Sequence, residues 1–219
     1  MQTSQFQDLF VSRASSLCYY LFDVEENNRG WVGGNAPAYF DDKQSMVNEP
    51  DCPYRFYLTA VNPINGKMLT VFIPSFDIYN SHKVYPDCAI KVFEHEVSPE
   101  SQLRLYELFE DEPQEKKTKY QQDFDYSQPT IRKTYLSETG TGKPFFQLGG
   151  YPNLLQDDKY YYSELEKDGY GFFGLADEDG YLNGMIHGNE PFCYGAIYLY
   201  AKIENNAARD IIAGFWQNS

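Results

Sequence analysis

Short runs of apolar and aromatic residues, separated by polar turns, recur along the chain and predict a structure made mostly of β-strands. Residues 54–61 (YRFYLTAV) and 68–76 (MLTVFIPSF) are two such runs, joined through Asn65-Gly66. This arrangement predicts a β-hairpin with a type I′ turn, because both central residues of that turn need positive φ. Further strands are expected at residues 17–24, 87–97, 169–177, 195–203 and 211–217.

Short helical segments are expected between and before these strands. Thr3 or Ser4 is a suitable N-cap for a helix whose apolar face lies within residues 6–17. The sequence Ser-Pro-Glu at residues 98–100 combines an N-cap, a first-turn proline and an early acid, so a second helix is predicted to begin there. A helical turn is expected near residues 205–209. The fold class predicted from these patterns is α+β, dominated by antiparallel β-sheet.

A glycine pair occurs twice in a similar setting, in WVGGNAPAY at residues 31–39 and in FQLGGYPNL at residues 146–154. Glycine allows positive φ and proline fixes φ, so both stretches are predicted to be structural turns at the end of a strand. The residues assigned to these turns are Gly33, Gly34, Pro37, Gly149, Gly150 and Pro152. A phosphate-binding turn would need a helix N-terminus after the glycines, and no convincing helix follows either pair.

The two glycine pairs also indicate an internal duplication. In both copies a phenylalanine of the next strand, Phe56 or Phe172, follows the second glycine by 22 residues. We therefore expect a single domain with related halves at residues 1–110 and 143–219. The polar segment 111–142 between them is predicted to be a linker or a long surface excursion.

Composition places the chain among folded proteins of the reducing cytoplasm. With 219 residues, 42% hydrophobic and 17% aromatic, a sizeable core is readily built. Cys18, Cys52, Cys88 and Cys193 lie far apart without a Cys-x-x-Cys motif, which favours reduced buried thiols over disulfides. The first residues lack the regions of a secretion signal, and no apolar run approaches the roughly 18 residues of a membrane span. A cytoplasmic location without a membrane partner is expected.

The net charge of −14 changes the range of expected partners. Nucleic acid carries a dense negative charge, so direct binding to it is disfavoured. A basic protein surface would instead be attracted, and its association would be accelerated by electrostatic steering. Simple solubility is the alternative explanation of the charge.

The search for a catalytic, cofactor or metal site finds no convincing motif. On a strand, His95 would face away from Glu94 and Glu96, so a satisfied or exposed histidine is favoured over a metal ligand. Residues 139–144 (TGTGKP) lack the first glycine of a phosphate loop and its Ser or Thr after the lysine. Residues 177–180 would give a calcium loop apolar residues at its first and last ligand positions, so a hairpin turn is favoured. No cofactor and no metal are expected.

Tyrosines beside acidic residues are the strongest binding signal in the sequence. Tyrosine offers a large contact area at little cost in rotamer freedom, and acids around it would meet Arg or Lys of a partner. The candidate partner-binding residues are Asp123, Asp125, Tyr126, Asp157, Asp158, Tyr160, Tyr161, Tyr162, Asp177, Glu178 and Asp179. Exposed loops without a partner and buried tyrosine strands are the alternatives.

The stretch FFQLGGYPNLLQDD, at residues 145–158, resembles the H-x-L-x-GYP-x-x-x-Q segment of the YwqG-like family of bacterial domains. WVGGNAPAYF resembles the early glycine-pair turn of that family, and residues 174–219 are similar to its ending, which closes on a strand ending in Gln. The chain departs from the pattern at Phe146, near a frequent His, and at residues 187–189, where His-Gly-Asn replaces Trp-Gly-Asp. The resemblance implies a mostly antiparallel α+β fold with two related halves. It also implies kinship with immunity proteins that neutralise toxins delivered between competing bacteria.

Charge, tyrosine content and resemblance together favour a non-enzymatic immunity protein that covers the active site or an essential surface of a cognate, basic toxin. The alternative from another class is a hydrolase that uses carboxylates or a cysteine between the two halves. A housekeeping protein-interaction module without a toxin is the third possibility.

Overall fold

The computed structural model describes residues 9–25, 28–50, 52–106, 130–204 and 207–219. These residues form mostly antiparallel β-sheet with three short helices, which confirms the predicted dominance of strands. The strands are β1 (Ser16–Phe22), β2 (Gly30–Val32), β3 (Arg55–Val61), β4 (Met68–Ile73), β5 (Lys91–His95), β6 (Thr130–Ile131), β7 (Thr134–Ser137), β8 (Phe146–Gly149), β9 (Tyr170–Asp177), β10 (Ile186–His187), β11 (Ala196–Glu204) and β12 (Ala207–Gln217). The helices are α1 (Gln44–Val47), α2 (Phe76–Ser81) and α3 (Ser163–Lys167).

Ten of these strands form one sheet in the order β12-β11-β9-β8-β1-β7-β2-β3-β4-β5, and all neighbours are antiparallel. β1 lies at the centre because residues 16–19 pair with β8 while residues 20–22 pair with β7. β7 comes from the segment predicted to be a linker or surface excursion, so part of that segment belongs to the sheet. β6 and β10 form a separate two-stranded sheet.

The large sheet is nearly closed on itself. Its edge strands β5 and β12 are not hydrogen-bonded to each other, and residues 83–85, after α2, bond to β12 instead. The amide of Tyr85 donates to the carbonyl of Gly214 at 2.7 Å, and the amide of Trp216 donates to the carbonyl of Lys83 at 3.3 Å. The segment after α2 therefore pairs with the carboxy-terminal strand, β12.

The main core is built from aromatic side chains of both ends of the sheet. The rings of Tyr57, on β3, and Phe192 are 5.4 Å apart and edge-on, and Phe192 lies 5.6 Å from Trp216, on β12. All three residues are almost completely buried. The first pair is edge-on and the second is tilted, and such aromatic contacts add to the hydrophobic gain of burial. They therefore tie β3 and β12 into one core.

Three predicted helical segments are absent where the structure describes them. Of the predicted amino-terminal helix, residues 9–12 form turns and β1 begins at Ser16, with Leu9 and Phe10 packed into the core. The predicted helical turn near residues 205–209 is also wrong, because β12 begins at Ala207. Burial of Leu9 and Phe10 in the first region, and backbone pairing of residues 207–209 with β11 in the second, outweigh the local helical signals, which are weak for short segments.

The helix predicted to begin at Ser98 is likewise wrong over its described residues, 98–106. The amide of Ser101 donates to the carbonyl of Ala36 at 2.8 Å, and the amide of Ala38 donates to the carbonyl of Pro99 at 2.8 Å. Backbone groups must be satisfied, and here a neighbouring chain segment satisfies those that a helix would have paired.

The hairpin between β3 and β4 is confirmed, but its turn is not of type I′. Gly66 has a φ of 73°, whereas Asn65 is not among the described residues with positive φ. The amide of Asn62 donates to the carbonyl of Lys67 at 2.7 Å, so four residues form the loop. A four-residue loop with one left-handed residue satisfies the twist of the two strands without positive φ at two positions.

Both glycine-pair turns hold their glycines in the left-handed region. The φ values are 68° and 71° at Gly33 and Gly34, and 71° and 66° at Gly149 and Gly150. A Cβ atom on Gly149 would lie 2.6 Å from the carbonyl oxygen of Leu9. Glycine is therefore required there both by backbone conformation and by the close approach of another segment.

Candidate protein-binding surface

The loop after the second glycine pair, residues 151–162, is fixed by one buried amide side chain. Gln217, the last residue of β12, is 0% exposed. Its Oε1 accepts hydrogen bonds from the backbone amides of Leu155 and Gln156 at 2.9 and 3.0 Å. Its Nε2 donates to the carbonyl of Gln156 at 2.8 Å. A single side chain thus satisfies three backbone groups of the loop.

Further hydrogen bonds hold the same loop. Gln156 donates from Nε2 to the carbonyl of Asn218 at 2.8 Å, and its Oε1 accepts from the hydroxyl of Tyr161. The hydroxyl of buried Tyr198, on β11, donates to the carbonyl of Asn153 at 2.7 Å. The loop conformation is therefore determined by the sheet beneath it.

Three predicted partner-binding residues project from this anchored loop. Asp157 and Asp158 are exposed, and Tyr160 is 68% exposed. One oxygen of Asp158 accepts from the amide of Tyr160 at 2.9 Å and so caps the short turn that holds the ring outward. Exposed aromatic rings rimmed by carboxylates are typical contact residues of protein interfaces.

Tyr161 and Tyr162 point partly inward, unlike Tyr160. The ring of Tyr161 lies 5.2 Å from that of buried Phe215, and Tyr162 lines a groove described below. Both residues are half-buried. Their main role in the structure is to attach the loop to the sheet.

Acidic residues continue from the loop into and beyond α3. Glu164, Glu166 and Asp168 are exposed, and Glu164 forms an ion pair with Lys167 at 2.9 Å. We call the exposed set Asp157, Asp158, Tyr160, Glu164, Glu166 and Asp168 the acidic loop surface. Residues 157–168 contain five acids and two lysines, so the surface keeps a negative charge.

The structure does not bring the predicted acids at 177–179 to the acidic loop surface. α3 leads into the start of β9, whereas Asp177 ends that strand, seven residues and about 23 Å further on at ~3.3 Å per residue. Asp179 pairs with Lys143, and Asp177 accepts from the amide of Asp179 at 3.0 Å. Asp177 therefore caps the turn at residues 178–180, and Asp179 joins that turn to Lys143.

Glu178 does not belong to any surface, because it is 2% exposed, and its assignment to partner binding is wrong. Its carboxylate accepts from the amide of Phe192 at 2.8 Å and from the amide of Gly195 at 3.0 Å. Burial raises the pKa of Glu178 to about 8, although these two donors act to lower it. Residues 192–195 form a loop, and within it Cys193 and Tyr194 have φ values of 55° and 60°, which are uncommon for residues with a side chain. Glu178 is therefore an internal clamp of this strained loop.

Three further candidates, Asp123, Asp125 and Tyr126, lie outside the described residues.

The histidine singled out in the sequence is structural. His95 is 3% exposed, while Glu94 and Glu96 are exposed on the other face. Its Nδ1 donates to the carbonyl of Glu96 at 2.8 Å, so the neutral ring accepts at Nε2 from the hydroxyl of Thr70, 2.7 Å away. Burial lowers the pKa of His95. The interpretation as a satisfied histidine is confirmed.

The four cysteines are free thiols, and none is fully buried. Cys18, Cys52 and Cys88 are half-buried and Cys193 is exposed, which corrects the expectation of buried thiols. Burial raises the pKa of the Cys88 thiol to about 12, and it also raises the pKa values of Cys52 and Cys193. Thiols with raised pKa values are weak nucleophiles. Among the described residues, no group of three or more His, Cys, Asp or Glu side chains is arranged to hold a metal ion.

Sequence reasoning missed Gln217 and Arg13 as organising residues. Gln217 is a polar residue that follows the apolar run at 211–216, and a buried amide there must find partners. Arg13 has a φ of 54°, and its Nη1 donates to the carbonyl of Gly150 at 2.7 Å, behind the glycine-pair turn. The sequence gives no local signal for either contact, because the partners are more than 60 residues away.

Comparisons with models of protein families, with curated proteins and with solved structures found no match to this chain. Within the described residues, no helix has the length and apolar character needed to cross a bilayer.

Proposed function

We propose that this protein is a non-enzymatic immunity protein that binds a basic antibacterial toxin in the bacterial cytoplasm and neutralises it through the acidic loop surface. The observation that carries the proposal is the anchoring of the loop by Gln217 while Asp157 and Tyr160 remain exposed. A loop that is already fixed before binding loses little conformational freedom when a partner docks. The surface is therefore preorganised for a protein partner.

The charge of the molecule supports a basic partner. The chain carries −14, and the acidic loop surface contributes several exposed carboxylates. A field of this sign accelerates the encounter with a cationic protein and disfavours like-charged partners. The exposed ring of Tyr160 would then supply apolar contact area inside the charged rim.

The resemblance to YwqG-like domains supports the same proposal, because it includes the two glutamines that hold the loop. Gln156 is the last residue of the GYP-x-x-x-Q stretch, and Gln217 ends the final strand of the similar carboxy-terminal stretch. These two glutamines are the residues whose amides hold the loop.

The strand order supports the proposed duplication of the domain. The sheet divides into β7-β2-β3-β4-β5 and β1-β8-β9-β11-β12, and the two glycine-pair strands, β2 and β8, hold the second position of each set. The inner strands β1 and β7 pair with each other at the centre. In this arrangement β7, from residues 134–137, joins the strands of the first half of the chain. β1, from residues 16–22, joins the strands of the second half.

The proposal is tested by measuring the association of this protein with the toxin encoded beside it, at low and high salt. The double variant Asp157→Lys, Asp158→Lys is expected to slow association by about tenfold at low salt and by less at high salt, because salt screens the steering field. Unchanged association at low salt would remove this surface from the contact.

A matched control is Asp42→Lys with Glu96→Lys. Both side chains are more than 80% exposed and lie in the first half of the chain, and the change in net charge is the same. If this control slows association as much as the loop variant, net charge rather than the acidic loop surface is responsible. A chain that binds no neighbour-encoded protein and fails to protect cells that make one would contradict the proposed function as a whole.

A further inference from the structure

A groove of about 320 Å³ opens beside the start of β9. Its walls include Arg13, Tyr162, Glu166, Tyr170, Phe172 and Tyr200, and it continues over Gly171 towards Ile203. This volume is at the lower end of the range of small-ligand sites, which are mostly apolar with a few convergent polar groups. The groove has this composition.

Arg13 has two side-chain nitrogens, Nε and Nη2, that could donate hydrogen bonds to a ligand in the groove. Its Nη1 donates to the carbonyl of Gly150 at 2.7 Å and to that of Phe172 at 3.3 Å, and the guanidinium lies about 6 Å from the ring centres of Tyr151 and Phe172. Among the described residues, neither Nε nor Nη2 of Arg13 has a hydrogen-bond partner. Arg13 also has a φ of 54°, and strained conformations of this kind concentrate at binding sites.

Tyr200 supplies a second polar group without a partner. The residue is 4% exposed, and its ring packs against Phe172 and Phe215 at 6.0 and 5.7 Å. No hydrogen bond joins its hydroxyl to any residue that the structure describes, and the hydroxyl oxygen is not sealed from solvent, so it is accessible from the groove that Tyr200 lines. Burial raises the pKa of Tyr200, so the hydroxyl keeps its proton and is available as a donor.

We propose that this groove binds a carboxylate attached to an aromatic or apolar body, with the Nε and Nη2 donors of Arg13 and the hydroxyl of Tyr200 as its hydrogen-bond donors. The planar edge of arginine matches the two oxygens of a carboxylate. Phe172, Leu154 and Pro152 provide apolar walls for the rest of the ligand. This site is separate in chemistry from the proposed toxin contact, which attracts cations.

Charge around the groove favours a single carboxylate over other charged groups. A cation would approach the positive charge of Arg13 directly. A doubly charged phosphate would meet stronger repulsion from Glu166, which forms no ion pair with a described residue, and from the net charge of −14. One delocalised negative charge satisfies Arg13 with the least repulsion.

The test is a calorimetric titration of the full chain with N-acetylphenylalanine and, separately, with its amide. Binding of the acid and at least about tenfold weaker binding of the amide are expected, because the neutral amide cannot accept charge-assisted hydrogen bonds from Arg13. A third arm uses a short peptide that ends in phenylalanine with a free carboxylate. Tighter binding of this peptide than of the acid would identify a chain terminus as the ligand, and equal or weaker binding would identify a small aromatic acid. Equal binding of acid and amide, or no binding of any probe to folded protein, overturns the proposal.

Three variants separate the proposed contacts from effects on folding. Tyr200→Phe keeps the ring and is expected to weaken binding of the acid by about fivefold to tenfold, with little change in thermal stability. Arg13→Gln is expected to abolish binding, and circular dichroism shows whether the fold persists, since Arg13 also bonds two carbonyls. Glu166→Gln is expected to leave binding unchanged or to tighten it. Weaker binding of the acid in Glu166→Gln, with full binding in Tyr200→Phe, would show that Glu166 rather than Tyr200 contacts the probe and would contradict the proposal. None of these titrations contains the toxin, so their failure leaves the proposed function to its own test.

Discussion

The side chain of Gln217 is hydrogen-bonded to both backbone groups of Gln156, accepting from its amide at 3.0 Å and donating to its carbonyl at 2.8 Å. This pairing imitates a strand-to-strand contact, with a side-chain amide in place of a backbone peptide. It joins the end of the last strand to a loop 61 positions earlier in the chain. The exposed acids and tyrosine of that loop owe their fixed positions to it.

Replacing Gln217 by Ala is expected to destabilise the protein and to loosen the loop. Three partly buried backbone groups would lose this partner, and the amide of Leu155 would keep only its longer bond to the hydroxyl of Tyr198 at 3.2 Å. The total cost is expected to be about 2–4 kcal/mol in the free energy of unfolding. Hydrogen exchange at the amides of Leu155 and Gln156 would rise more than exchange in β9. Chemical unfolding and hydrogen exchange measure these effects.

Gln147→Ala is the control for this experiment. The side-chain Nε2 of Gln147 also donates hydrogen bonds to this turn, at the carbonyls of Gly149 and Tyr151. Gln147 is only half-buried, however. A loss below about 1 kcal/mol is expected, because solvent can replace those bonds. Equal losses in the two variants would contradict the assigned role of Gln217.

Glu178 is expected to make the protein less stable as pH rises. Its pKa is raised from 4.5 to about 8 in the folded state, so between these values the folded state binds more protons than the unfolded state. The stabilising contribution is complete below 4.5 and is lost as pH rises through about 8. Urea unfolding across this range measures it, and Glu178→Gln is expected to flatten the dependence. A Glu178→Gln protein with the slope of the wild type would contradict the assignment; Glu164→Gln, at an exposed acid, is the control.

His95 is expected to make the protein less stable as pH falls, which is opposite to the effect of Glu178. Burial lowers its pKa from 6.5 in the folded state, so the unfolded state takes up the proton first as pH falls. The neutral ring therefore contributes stability that is present above 6.5 and is lost progressively below it. His95→Gln is expected to remove this loss in urea unfolding, whereas His82→Gln, at an exposed position, leaves it in place. Parallel curves for wild type and His95→Gln would show that the buried ring is not the group that titrates.

Gly149→Ala and Gly66→Ala form a matched pair for the glycine turns. The φ values are nearly equal, 71° and 73°, but a Cβ on Gly66 would meet no atom within 4 Å. Gly66→Ala is expected to cost about 1 kcal/mol from the left-handed conformation alone. Gly149→Ala adds a clash with the carbonyl of Leu9, for a total of roughly 3 kcal/mol. Equal losses of unfolding free energy would show that this close approach is relieved by movement of the segment around Leu9.

The strands could be predicted from the sequence because their signals are local. The apolar runs on both sides of Asn65-Gly66 form β3 and β4, and the aromatic runs near the carboxy terminus form β9, β11 and β12. Each strand is identified by residues within about ten positions of one another, and the nearly continuous apolar runs arise because strands such as β3 and β4 are buried on both faces. The helix signal at residues 98–100 is equally local, but there backbone contacts with residues 36–38 outweigh it.

The sequence by itself therefore determined the longer strands, the β3–β4 hairpin and the exposed acids of the loop after the second glycine pair, but not the short strands β6, β7, β8 and β10. Only the tertiary structure decided that Glu178 is buried, that Gln217 holds the loop, and that Arg13 and Tyr200 share a groove. Burial and hydrogen-bond partners depend on which distant segments meet, whereas strand patterns depend on neighbouring residues. A side chain acquires its role at a site only when the closing sheet brings those segments together.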